Sequence, residues 1–144
     1  MSSTHAVVVG ALIQHQSRLL LLLRKNAPFV WAPPGGRLNP EEDPFDGLRR
    51  EVREECSLDI EFLDPPLAII WYGIHNNAPH IAIFLFADIV CGNLSLNDEH
   101  SQSGWFDREG ISALHRGTPG LFLSPDIYHR ALRIASLREQ WLKD

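Results

Sequence analysis

Glu51, Glu54 and Glu55 are three carboxylates spaced i, i+3 and i+4. On a helix this spacing stacks them along one stripe. Like charges so placed repel by about a few tenths of a kcal/mol per pair. A divalent cation reverses the sign of that interaction. Carboxylate ligation without a Cys/His set favours Mg²⁺ or Mn²⁺ over Zn²⁺. Ions of this kind do chemistry on phosphates. Arg50 lies beside the stripe, where it can pair with Glu42 or Glu54 and hold the carboxylates in place. A solvated acidic helix face explains the three glutamates alone equally well. It does not explain Trp31-Ala32-Pro33-Pro34-Gly35-Gly36 directly upstream, nor Glu42 and Arg50 in register.

The element that must carry this stripe is a helix starting at Asp43-Pro44. Asp43 is an N-cap carboxylate, and Pro44 stands where a missing N–H costs nothing. Asp46, three residues on, gives a weak form of the reciprocal capping pattern. Phe45, Leu48, Val52 and Cys56 fall on one apolar side. Gly47 lies on the acidic stripe, one turn before Glu51. A helical glycine costs about 1 kcal/mol relative to alanine, and room for an ion or a substrate phosphate would justify it.

The segment Gly36 to Leu58 resembles the Nudix box, G-x5-E-x7-R-E-U-x-E-E-x-G-U with U aliphatic. Gly36, Glu42, Arg50, Glu51, Val52, Glu54, Glu55 and Leu58 match it, and the upstream W-x-x-P-G-G is typical of the same family. The departure is Ser57 in place of glycine. That position follows the helix and calls for φ > 0, which serine adopts at a cost of about 1 kcal/mol. The glycine serves the turn and not the metal, so the site tolerates the change. The chain length is also family-like.

The resemblance implies metal ligation by Glu51, Glu54 and Glu55, assisted by the Gly35 carbonyl. It also implies an extra acid from a late loop before a strand-borne tryptophan. Asn97-Asp98-Glu99-His100 precedes Trp105 in a comparable place, which makes Glu99 the candidate for an extra ligand or general base. An ordinary polar loop residue is the competing explanation there. With Arg50, these acids form the candidate catalytic set.

A chain of 144 residues can bury a real core and is read as one domain over 1–144. Its 44% apolar content is ordinary for a globular protein, and its net charge of −5 excludes a general nucleic-acid binder with a basic face. An acidic chain still takes an anionic substrate if metals supply the positive charge. Cys56 and Cys91 lack metal spacing and read as reduced thiols of a cytoplasmic protein, Cys56 filling the core. No signal peptide is seen, and runs such as Leu19 to Leu23 are too short to span a bilayer. No membrane partner is therefore expected, whereas the resemblance admits a homodimer.

Strands are expected over Ala6–Ile13 and Leu19–Arg24, both buried on two faces because they lack clean alternation. Leu67–Ile74 and His80–Val90 read as an antiparallel pair around Asn76 to Pro79. Gly104 to Phe106 is a short strand, Asp107 caps a helix to about His115, and Ser124-Pro125 starts a last helix through Trp141. The class is α/β, a Nudix-like α/β/α sandwich with a mixed sheet between helices.

Trp71 and Tyr72 can stack a base, although strand aromatics more often belong to the core. Arg24, Lys25 and Arg37 can meet substrate phosphates or stand as solvated cations. His75, His80 and His100 show no ligand spacing. Two functions fit. One is a divalent-metal-dependent diphosphohydrolase that splits the P–O–P link of a nucleoside diphosphate joined to another moiety. ADP-ribose, a nucleoside triphosphate, a dinucleoside polyphosphate and a nucleotide sugar all meet that description. The other is a catalytically silent nucleotide-binding or sensing domain. The complete acid set favours the enzyme, since a pure binder has less reason to keep like charges together.

Overall fold

The computed structural model describes residues 4–143. Their contacts gather into two compact units, each discontinuous in sequence: the described residues up to 11 with 34–95, and 12–33 with those from 96 onward. Strand β1, Ala6–His15, runs through both.

In the first unit, β4 (Gly35–Arg37) pairs antiparallel with the early part of β1, Val9 opposite Gly36 and Gly10 opposite Gly35. Helix α1, Pro44–Cys56, follows. β5 (Asp59–Phe62) and β6 (Ala68–His75) both pair antiparallel with β7 (Ala78–Cys91). α1 packs on β4 and β5. Leu48, Val52 and Cys56 are fully buried as the helical period requires, while Phe45 is half-buried and meets Phe62 edge-on. Burial pushes the Cys56 thiol up to about 12, which leaves it an inert core filler.

In the second unit, β2 (Arg18–Arg24) lies between the late part of β1 and β8 (His100–Phe106), all antiparallel, with β3 (Trp31–Ala32) on the outer end of β2. Among the described residues a parallel bridge, Trp31 to Leu121, makes the strand content mixed. α2 (Arg108–Arg116) packs on α3 (Pro125–Lys143). The unbroken apolar run Leu19–Leu22 is buried on both faces.

Several expectations are corrected in extent. β8 begins at His100, four residues before the expected Gly104, because alternate polar side chains on an outer strand hide its pattern. The β6–β7 turn is only Asn76-Asn77, both left-handed at φ 51° and 61°, a geometry that suits two-residue hairpins and that asparagine tolerates. β3, β4 and β5 are new, being too short to show a period. Among the described residues no helix is long and apolar enough to cross a membrane.

Candidate functional site

α1 builds the site from its cap onward. The Asp43 carboxylate accepts hydrogen bonds from the Phe45 and Asp46 N–H groups at 2.9 and 3.0 Å. The Asp46 N–H holds the Asp43 carboxyl below the usual range. Asp46 reaches Arg49 at 3.3 Å. At the other end Ser57 is left-handed, φ 60° and ψ 30°, and its N–H donates to the Arg53 carbonyl. Serine therefore takes the conformation expected of the missing glycine.

Between the caps the acids form a graded stripe. Glu54 is exposed, Glu51 half-buried and Glu55 buried. The Gly35 N–H donates to Glu55 Oε1 at 2.7 Å. This bond fixes a buried carboxylate and brings the Gly35 segment against the helix. Gly36 faces Glu51: a Cβ there would lie 2.7 Å from Glu51 Cδ and 2.8 Å from both its oxygens. Gly35 in turn lies so close to the Val9 carbonyl that no side chain fits. The glycine pair is thus a cradle, one residue admitting strand β1 and the other admitting a carboxylate.

Arg50 ties the acids together. Its Nε and Nη2 donate to the two Glu42 oxygens at 2.6 and 2.8 Å, a bidentate fork. Its Nη1 lies 3.1 Å from Glu51 and 3.2 Å from Glu54. The fork raises the Arg50 pKa, and the same hydrogen bond holds Glu42 below the usual carboxylate value. Sequence reading left Glu42 and Glu54 as alternatives; Arg50 takes both, and Glu51 as well. It holds these three carboxylates in fixed relation to one another.

Gly47 is a correction. The space beside it holds the Leu38 side chain, with Glu42 Oε1 3.1 Å from where a Cβ would stand. The glycine admits Leu38 and the Arg50–Glu42 clamp, not an ion. Leu38 lies nine residues earlier in an irregular segment, and no periodicity in the sequence foretells the contact.

Of the candidate substrate residues in the first unit, Arg37 is exposed at the end of β4. Trp71 is half-buried with its ring against Gly73, whereas Tyr72 is 59% exposed and meets His5 edge-on at 5.8 Å. The expectation that strand aromatics belong to the core fails for Tyr72, because successive residues of β6 face opposite ways.

Glu99 belongs to the second unit, in the turn before β8. It is exposed, its N–H donates to Asn97 Oδ1 at 3.1 Å, and its carbonyl accepts from the Lys25 N–H. His100 beside it is buried, which lowers its pKa. Arg24 and Lys25 are exposed.

The family model described as "NUDIX domain" matches residues 4–122. Over 114 residues the chain is 30% identical to an ADP-ribose pyrophosphatase of Methanocaldococcus jannaschii, an alignment covering 76% of this chain and 66% of that protein. It is 28% identical to the nucleoside triphosphatase NudI of an Enterobacter species, over 74% of this chain and 85% of that one. The chain spans only about a fifth to a third of most other curated relatives. The crystal structure of a MutT NUDIX hydrolase from Burkholderia pseudomallei superposes with a TM-score of 0.73 at 25% identity, covering 91% of this chain and 98% of that one. The α/β sandwich expected from sequence is the fold of that structure.

Proposed function

Since this chain belongs to the Nudix family, we propose that it is a divalent-metal-dependent hydrolase cleaving a pyrophosphate bond in a nucleoside diphosphate linked to another moiety. The observation that carries this reading is the cradle on α1: Glu51 seated against Gly36, and Glu55 held by the Gly35 N–H at 2.7 Å. An acidic face kept only for solubility has no need of a glycine at each carboxylate. The family model spans both compact units, which supports treating residues 1–144 as one functional domain.

Mg²⁺ or Mn²⁺ fits the donor set, since carboxylates and a backbone carbonyl are the oxygen ligands hard cations take. Glu51, Glu54, Glu55 and the Gly35 carbonyl would hold it. When bound, such an ion polarises phosphoryl oxygens and lowers the pKa of water. Arg50 keeps the carboxylates aimed by its bonds to Glu42, Glu51 and Glu54. Carboxylates that ligate a cation make poor proton acceptors, because the charge depresses their pKa. The role of general base therefore goes to Glu99, with Glu51 as the alternative. Arg37, Arg24 and Lys25 are exposed cations suited to phosphate oxygens, and the exposed Tyr72 ring, next to Trp71, is suited to a base. A cytoplasmic location belongs to the same reading, supported by two free thiols.

A panel of ADP-ribose, nucleoside triphosphates, dinucleoside polyphosphates and nucleotide sugars tests the proposal, with products separated by ion exchange. One class should turn over with Mg²⁺ or Mn²⁺, stop on chelation and resume on adding the metal back. Nucleotide binding with no turnover under either metal would replace the enzyme with a binding domain. Glu99→Gln should lower kcat by about 10²–10⁴-fold, the range of general acid–base help, with metal affinity nearly unchanged. Collapse of metal affinity would make Glu99 a ligand, and an unchanged kcat would hand the base to Glu51.

A further inference from the structure

His75 and His80 stand five residues apart, a spacing that puts side chains of a single strand on opposite faces. The β6–β7 hairpin undoes that separation. Gly73 pairs with His80, and His75 lies two residues along β6 from Gly73, so both imidazoles occupy one face as a diagonal pair. Their ring centres are 5.5 Å apart, with the planes at 86°. His75 is exposed and His80 half-buried, so solvent reaches the pair.

One hydrogen bond decides what His80 offers. Its Nδ1 lies 2.9 Å from the Ala78 carbonyl oxygen. A carbonyl only accepts, so Nδ1 carries the proton and the neutral ring keeps its lone pair on Nε2. Metal-ligating histidines are held in this way, one ring N–H on a backbone carbonyl and the other nitrogen on the ion. The spacing agrees. A Zn–N bond of about 2.0–2.1 Å puts a ring centre roughly 3.2 Å from the ion, so two imidazoles at a tetrahedral angle have centres roughly 5.2 Å apart. The two rings stand within a few tenths of an ångström of that separation. Between residues 65 and 87 the chain carries no Lys, Arg, Asp or Glu. The hairpin therefore brings no cation to repel the ion and no carboxylate to attract Mg²⁺.

We propose that His75 and His80 bind a divalent transition ion of the imidazole-preferring kind, Zn²⁺ being the type case, with water completing its shell. The α1 stripe offers carboxylates, which suit Mg²⁺ and Mn²⁺, whereas this pair offers only imidazoles, which suit Zn²⁺, Cu²⁺ and Ni²⁺. Two protein ligands make a weak, open site. The bound ion links β6 to β7 beside their turn.

Calorimetric titration of Zn²⁺ into the untagged chain, with Mg²⁺ in excess to occupy the carboxylates, should give a dissociation constant below about 1 mM. Imidazole ¹H–¹⁵N spectra should show the His80 proton on Nδ1 before metal is added. Both rings should then move with one common midpoint. His75→Ala should weaken the binding by at least about tenfold and leave the His80 ring nearly still. His80→Ala should do the same to His75. If loss of the Ala78 bond lowers the melting temperature of that variant, the exposed His75 decides alone. His115→Ala, on α2, should bind as the wild type does. Absence of Zn²⁺ binding below about 1 mM overturns the proposal. So do rings that move with separate midpoints, or a His75→Ala chain that binds as tightly as the wild type; the pair is then a plain edge-to-face contact.

Discussion

Helices α1 and α3 start alike and are used differently. Each begins with proline after a polar residue, Asp43 and Ser124, whose side chain accepts a backbone N–H. Along its 13 residues α1 buries an acid, two apolar side chains, a cysteine and a glycine, and through Arg50 ties Glu51 and Glu54 to Glu42. Over 19 residues α3 buries Ile127, Tyr128, Ala131 and Ala135, and leaves Leu137, Trp141 and Leu142 exposed. Small and aromatic residues inside α3 are what helix packing needs. A buried carboxylate and close glycines are what packing avoids. The buried Glu55 of α1 and the β4 glycines packed against that helix support the proposal that α1 carries the site, whereas the buried residues of α3 fit a packing role.

The sharpest break of that contrast is Glu55→Gln. Glutamine keeps an acceptor for the Gly35 N–H but loses the charge. Turnover should fall by at least about 10²-fold while the melting temperature holds or rises slightly, since one member of a repelling stripe has gone. Steady-state kinetics paired with calorimetry reads both, and near-normal turnover would remove Glu55 from the ligand set.

Gly36→Ala should come next. Its methyl group must displace the Glu51 carboxylate, the mobile end of a side chain, so the fold survives. A misplacement of about 1 Å costs roughly 10²-fold in rate. Equal loss of stability and activity would show that the glycine serves the strand instead.

On α3 the pattern should invert. Ala131 is fully buried, so Ala131→Leu should lose about 1–3 kcal/mol by overpacking while the folded fraction keeps its kcat. Denaturant titration beside active-site-normalised rates checks this, and a kcat loss without destabilisation would make α3 part of the site.

The smallest effect is expected at Ser57. Its φ of 60° costs serine what glycine avoids, so Ser57→Gly should gain about 0.5–1 kcal/mol with activity unchanged. A lower melting temperature would mean that the hydroxyl makes a bond worth more than the strain.

The sequence by itself determined α1, its Asp43 cap, the left-handed Ser57 and the identity of the acid stripe. Each is a local matter: a cap bonds two residues on, a helical face repeats within a turn, and a left-handed residue answers to its own sterics. Tertiary structure alone decided the purpose of Gly47, the seating of Glu51 on Gly36, the burial of Glu55 under the Gly35 N–H, and the outward turn of Tyr72. Each depends on a partner brought close by the fold, Leu38 for Gly47 and Val9 for Gly35. Strands β3, β4 and β5 were likewise invisible, since two to four residues cannot display a period and hold their place only through the strands and helix beside them.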